Sequence, residues 1–335
     1  MDEIVQDLFT YENLVHAISG ATGGVTAIST FYPLNMVRLK VQTDENYSTK
    51  DNVFVTAKKI ADKDGVGALY QGWQSAVISL GASNFVYFYT YNAFKSIYKK
   101  FVLENPKADI DVYTNLLVAS SAGVINVLMT TPLWVAGTRL TVQNRKKATA
   151  DSNGNEARLE RPYTGVFNCL TRIMKEEGVA ALWKGVGPSL ILVSNPSIQF
   201  VTYEQLRIPM AKIAERRGSP ITAFEFFVMG AIAKAVATIF TYPLQIAQSR
   251  LRADRGKEDG TRNYSGTADV LKKIYEQKGL KGWFKGMEAK LWQTVLTAAF
   301  QFLTYEQVQK VVFMLLLGKA VQAKNVQIAA QAKKK

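Results

Sequence analysis

The sequence predicts an all-α membrane protein of six transmembrane helices, arranged as three tandem two-helix repeats with a short helix between the two spans of each. Three observations predict it. Three short motifs recur three times in the same order, six apolar stretches are long enough to cross a bilayer, and the charged residues withdraw into the connections between them.

The motifs define the repeat. A proline stands in Tyr32-Pro33-Leu34, Thr131-Pro132-Leu133 and Tyr242-Pro243-Leu244. Downstream of each lies a pair of glycines seven apart, with an aromatic residue two before the second. These are Gly65 and Gly72 around Tyr70, Gly178 and Gly185 around Trp183, and Gly279 and Gly286 around Phe284. A third element closes each unit, starting at Tyr91, Tyr203 and Tyr305. Self-similarity at a period of roughly 100 residues marks a repeat architecture. The boundaries expected are 1–106, 107–218 and 219–317, followed by a polar basic tail, 318–335.

The elements within a repeat follow from hydropathy. An apolar, small-residue stretch leads into each proline, at 13–32, 113–131 and 222–242. A second follows each glycine pair, at 73–94, 186–206 and 287–317. About 20 helical residues cross a hydrocarbon core of about 30 Å. Between the two spans of each repeat, 53–61, 166–174 and 268–275 carry a short helical pattern.

Charge placement supports the same reading. The connections 38–71, 139–184 and 250–285 hold 6, 9 and 10 Lys and Arg residues, more than half of the 41 in the chain. Within the spans few charges remain, Lys234, Glu288 and Lys290 among them. A bilayer demands this retreat, whereas a soluble helical protein keeps polar stripes along its helices.

Composition excludes other classes. With 17 Phe, 15 Tyr and 5 Trp the chain is too rich in large apolar side chains for a solvated coil. Cys169 is the single cysteine and His16 the single histidine, so disulfide scaffolds and multi-thiolate metal sites are excluded. No Gly-x-x-x-x-Gly-Lys-Ser/Thr loop appears. The chain is therefore expected not to be an enzyme and to need no metal or cofactor. Met1-Asp2-Glu3 does not open a secretory signal, and the tail ending Lys333-Lys334-Lys335 is not a peroxisomal matrix signal. A net charge of +14 points to an anionic partner. The helices lack the polar stripes of a nucleic-acid-binding solenoid.

The three proline elements and three glycine elements resemble the mitochondrial carrier family over essentially the whole chain. Leu14–Ala17, Ser83–Thr90, Thr130–Val135, Asn195–Phe200, Gly286–Lys290 and Gln293–Ala299 are similar to its peroxisomal branch, whose members carry CoA, FAD, NAD and adenine nucleotides. The resemblance implies a six-helix bundle with pseudo-threefold symmetry around a central cavity. It implies alternating access between two gates, exchange of CoA, FAD, NAD or AMP, ADP and ATP, and a multi-pass peroxisomal membrane protein with cytosolic termini. Membrane lipids and a peroxisomal membrane-protein import receptor are the other partners expected; nucleic acid is not. A mitochondrial inner-membrane carrier and a non-transporting assembly protein remain as alternatives.

The resemblance also assigns residues. In the family an acid follows each gate proline by two residues and a base by five, and they pair to close the inner side. After Pro33, Pro132 and Pro243 this chain has Asn35, Trp134 and Gln245 at the acid positions, and Arg38, Gly137 and Gln248 at the base positions. Hydrogen bonds and packing, including one from Arg38 to Gln245, are expected to replace the ion pairs. The bases seven after the prolines, Lys40, Arg139 and Arg250, are expected to face phosphates or lipid headgroups. At the outer gate Asn92 is expected to face Arg207, Glu204 to face Gln309, and Glu306 to face Lys95. Ser79, Leu192 and Gln293 occupy the family's substrate-contact positions. Intramembrane charge defaults to function, so Lys234 and Lys290 are expected to bind phosphate. Asn84, Tyr87 and Tyr91, at helical spacing, are placed to stack a base, and Asn195 and Gln199 to offer amides to its edge.

Overall fold

The computed structural model describes residues 25–44, 52–103, 110–143, 162–255, 263–297 and 300. Among them the regular structure is helical, with no strand. The helices are α1 (Tyr32–Thr43), α2 (Val53–Asp64), α3 (Trp73–Phe101), α4 (Val112–Val142), α5 (Val166–Glu176), α6 (Val186–Leu192), α7 (Asn195–Arg217), α8 (Ala223–Ala253), α9 (Thr267–Trp283) and α10 (287–297). Short 3-10 turns at Val66–Tyr70 and Val179–Trp183 lead into α3 and α6.

Local sequence explains the helix starts. Asn52 accepts a hydrogen bond from the Phe54 N–H, and Asp111 one from the Tyr113 N–H, each satisfying a donor the helix leaves open. Thr222 and Glu225 form a reciprocal capping box at α8. The interior helices sit where the apolar pattern puts them. α5 buries Val166, Cys169 and Ile173 against Val135, Ala136 and Leu140 of α4. α9 does the same with Val270 and Ile274 against Tyr242 and Ile246 of α8. Burial pushes the Cys169 thiol up to about 12, so it stays protonated and inert.

One expected span differs. The stretch 186–206 is two helices, interrupted at Val193 and Ser194. Pro196 has no N–H to continue the ladder, and its ring clashes with the carbonyl four residues back. The expected stretches 13–32 and 287–317 lie largely outside the described residues. Among those described, α4 and α8 are each long and apolar enough to cross a membrane, by length and composition. Only 17% and 22% of their most apolar windows is buried, so most of each apolar window faces outward. Phe85 on α3 and Phe240 on α8 stand 72% and 74% exposed, and such apolar outer faces suit lipid.

The chain divides into two compact units, 33–291 and the two terminal stretches 1–32 and 292–335. In the terminal unit Phe31 and Phe300 meet edge to face at 5.6 Å. The larger unit carries a cycle of hydrogen bonds between repeats. Gln71 donates to the carbonyls of Leu140, Thr141 and Gln143 at the end of α4. Lys184 donates to the Asp254 carbonyl past the end of α8 at 2.9 Å. Lys285 donates to the Asp44 carbonyl past the end of α1 at 2.8 Å. Each side chain thus satisfies carbonyls that a helix C-terminus leaves open, and each reaches the next repeat in order. The glycine beside each latch has positive φ, +81° at Gly72, +84° at Gly185 and +81° at Gly286, and lies close against that same helix end.

The bases seven after the prolines correct an expectation, because they do not face headgroups. Arg139 is fully buried and forms a double ion pair with Glu177, while Lys40 is buried 3.7 Å from Asp64. Arg250 is buried and donates through Nε to the Gln42 carbonyl at 3.1 Å. A guanidinium or ammonium removed from water needs a counter-charge or carbonyl, and the acid before the first glycine of repeats 1 and 2 supplies it.

Candidate substrate cavity and gates

A cavity of ≈ 280 Å³ lies among α3, α4, α6, α7 and α8. Its α4 wall runs from Leu116 to Trp134, about 27 Å at the helical rise. Along that wall Ser120, Gly123, Asn126 and Thr130 expose small or polar groups. Gly123 brings α4 against Val193, where an added Cβ would come within 2.8 Å of a Val193 methyl. Ser83 and Asn126 hydrogen-bond to each other across α3 and α4.

Of the expected contact residues, Tyr87 and Leu192 line this cavity. Tyr87 stacks on Tyr91, with ring centroids 6.1 Å apart, and the Tyr91 hydroxyl donates to Asn115 at 2.6 Å. Asn195 donates to the Thr241 hydroxyl at 3.0 Å, and its own Oδ1 is buried with no partner among the described residues. Asn84 is exposed and Gln199 is half-buried. Ser79 departs from expectation. It is 0% exposed and donates to the Leu133 carbonyl at 3.2 Å, so its hydroxyl is engaged in helix packing, not turned to the cavity. Gln293 lies in the terminal unit, and its Oε1 is buried without a partner among the described residues.

The intramembrane cations are grouped. Lys290 lies within electrostatic reach of Arg38 and Lys234, and Arg252 within reach of Arg38. Positive side chains from α1, α8 and α10 thus form a string in the larger unit, each partly withdrawn from water, whose two ends, Lys234 and Arg252, stand about 27 Å apart along α8 at the helical rise. Arg252 is the member that sequence reasoning misses. It sits nine after Pro243, beyond the apolar stretch, and in sequence only its place one helical turn past the gate position Gln248 points toward it.

At the inner gate Arg38 donates to Asn35 on its own helix at 2.7 Å. Gln245 donates to the Thr241 hydroxyl at 3.1 Å, in place of the expected bond with Arg38. Gln248 donates to Ser189 at 2.7 Å, and Trp134 lines the cavity beneath Arg252. Gly137 is buried, and a Cβ there would meet the hydroxyls of Ser75 and Ser79 at 3.5 Å, so this position packs α4 on α3. At the outer gate Arg207 pairs with Glu204 of its own helix at 3.5 Å, and Lys95 lies over the Tyr91 ring. Asn92 is exposed. Glu306 and Gln309 lie outside the described residues.

The model of the family described as mitochondrial carrier protein matches the chain three times, over residues 9–102, 108–212 and 219–315. The chain belongs to the mitochondrial carrier family. The latch cycle and the paired glycines are therefore this carrier's version of a threefold-repeated framework. The carrier is 41% identical to the peroxisomal membrane protein PMP34 of Mus musculus, with 92% of this chain and 96% of that protein covered. It is 36% identical to the peroxisomal nicotinamide adenine dinucleotide carrier of Arabidopsis thaliana, over 90% and 97% of the two chains. It is 31% identical to the chloroplastic nicotinamide adenine dinucleotide transporter 1 of the same plant, over 89% and 91%.

Proposed function

We propose that this carrier is a multi-pass protein of the peroxisomal membrane that exchanges nucleotide-containing anionic cofactors by alternating access, with CoA, FAD, NAD and the adenine nucleotides as the candidate substrates. The observation that carries the reading is the cluster of Arg38, Lys234 and Lys290. Like charges gathered away from water repel one another and are costly to desolvate. A phosphate or pyrophosphate group entering the cluster relieves both costs, and a neutral solute relieves neither. The resemblance to peroxisomal relatives supports the membrane and the substrate class. On this reading Gln248, whose hydrogen bond to Ser189 crosses between helices, holds the inner gate, and Lys95, Glu204 and Arg207 belong to the outer gate.

Counter-exchange by the purified full chain in liposomes tests the reading. External AMP, NAD, FAD or CoA is expected to drive release of loaded radiolabelled ATP, and adenosine is not. Lys234→Met and Lys290→Met are each expected to cut uptake of phosphorylated substrates roughly tenfold or more, the loss of one charged hydrogen bond, with the yield of folded protein unchanged. Unaltered exchange with both lysines replaced sinks the proposal.

A further inference from the structure

Arg252 closes one end of the cavity with a charge that its described surroundings leave uncompensated. Its guanidinium lies 5.8 Å from the Trp134 ring centroid and donates through Nη2 to the Ser189 hydroxyl at 3.2 Å. The same hydroxyl donates to the Gly185 carbonyl at 2.6 Å and accepts from Gln248 at 2.7 Å, so the Arg252 bond takes its last lone pair. A hydroxyl has one proton and two lone pairs, so Ser189 fixes the direction of Arg252 and cannot neutralise it. Among the described residues the buried Arg252 Nε–H has no hydrogen-bond partner, and no carboxylate pairs with the side chain. The like charge of Arg38 is within reach.

The equivalent positions of the other repeats are satisfied internally. Gln42 accepts from Ser249 and donates to the Tyr242 hydroxyl, and the Thr141 hydroxyl donates to the Gly137 carbonyl. Only the third repeat places a cation there, and that cation lines the cavity. A buried guanidinium N–H without an acceptor is an expensive arrangement unless a ligand supplies the acceptor.

We propose that Arg252 is a substrate-contacting residue that receives a phosphate group at the inner end of the cavity, with Trp134 and Ser189 setting its orientation and the nucleoside lying toward Tyr87, Ser83 and Asn126. This rests on the nucleotide-carrier reading above and adds a second anchoring point, apart from Lys234 and Lys290, that separates phosphorylated from unphosphorylated ligands. The planar fork of arginine suits a phosphate edge, which an ammonium meets only as a point charge.

The test compares the full chain with Arg252→Gln and Arg252→Lys in liposomes, reading half-saturation for AMP uptake and inhibition of that uptake by adenosine. Arg252→Gln is expected to raise half-saturation for AMP roughly ten- to a hundredfold, with adenosine inhibition unchanged. Arg252→Lys should fall between, and it carries the test if the glutamine variant does not fold. Unchanged AMP affinity in the variants, or an equal loss of AMP and adenosine recognition, overturns the assignment, since a purely structural strut would weaken both ligands alike. A second readout, thermal stabilisation of the detergent-solubilised chain by inorganic pyrophosphate, separates this proposal from the transport reading. If the parent chain moves no nucleotide but is stabilised by pyrophosphate only when Arg252 is present, the transport reading fails and the anion site stands. If it exchanges nucleotides and pyrophosphate stabilises Arg252→Gln equally, the transport reading stands and the anion site fails.

Discussion

Glu177→Gln is expected to destabilise the folded carrier by about 3 kcal/mol, the cost of stranding one partner of a buried ion pair. Arg139 is 0% exposed and holds both oxygens of Glu177, while Lys184 donates to Oε2 of the same carboxylate at 2.8 Å. Neutralising Glu177 leaves those two cations with the Asp254 carboxylate, which is 3.8 Å from Lys184, and with backbone carbonyls. The loss reaches beyond one contact. Arg139 and Lys184 both donate to the Asp254 carbonyl past the end of α8, so the α4, α5 and α8 termini loosen together. The control is Glu176→Gln, whose i,i+4 pair with Arg172 is largely exposed and contributes below about 1 kcal/mol. Acid sharpens the comparison. Burial alone would raise the Glu177 carboxyl, but hydrogen bonds and charge from Arg139 and Lys184 outweigh it and hold it below the ordinary carboxylate range. A carboxylate depressed on folding stabilises fully above its unfolded value and loses that contribution as pH falls through the folded one. Thermal unfolding in detergent from neutral pH to below about pH 4, the ordinary carboxylate range, should therefore show a steep acid loss in the parent and a shallower one in Glu177→Gln. Equal slopes would mean that Glu177 does not carry this linkage.

The framework is more legible than the site, for a physical reason. A glycine at a left-handed turn and a proline inside an apolar stretch are local demands of backbone geometry, so Gly72, Gly185, Pro132 and Pro243 announce their roles wherever they recur. The short interior helices are legible for the same reason, since 166–174 and 268–275 already show the apolar spacing that α5 and α9 bury. The interruption at Val193 and Ser194 is legible in Pro196, whose missing N–H works against a continuous span. Site residues depend on what comes from other repeats. Nothing around Ser79 in sequence says that the Leu133 carbonyl, 54 residues on, takes its hydroxyl. Arg252 stands past the apolar stretch among other loop bases, and reads as one of them until Ser189 and Trp134 fold around it. Lys40 and Arg139 mislead in the opposite sense. They look like headgroup ligands in sequence, and acids from the same repeat, Asp64 and Glu177, engage them.

Gly72→Ala carries the other large effect, and Gly218→Ala isolates its cause. The two residues share the left-handed conformation, with φ +81° and ψ 3° at Gly72 and φ +67° and ψ 20° at Gly218, so alanine meets left-handed strain at both, about 1–2 kcal/mol. Their surroundings differ. A Cβ on Gly218 meets nothing within 4 Å, whereas one on Gly72 would lie 2.3 Å from the Thr141 hydroxyl and 2.9 Å from the Thr141 Cα. The second contact is with backbone, and no rotamer change relieves it. Forcing an extra carbon into a packed site costs about another 1–3 kcal/mol. The end of α4 must then move away from Gly72, which pulls its carbonyls off the Gln71 side chain that binds them. Gly185 and Gly286 fall between the extremes, since their added Cβ would approach neighbours at 3.1 and 3.3 Å. The expected order of thermal destabilisation is Gly72, then Gly185 and Gly286, then Gly218, with Gly72→Ala losing transport at temperatures where Gly218→Ala retains it. Thr141→Gly removes the hydroxyl contact and leaves the backbone one, so combined with Gly72→Ala it is expected to restore only part of the difference. If Gly218→Ala and Gly72→Ala unfold at the same temperature, backbone strain alone sets the cost and the close approach of the two repeats contributes nothing.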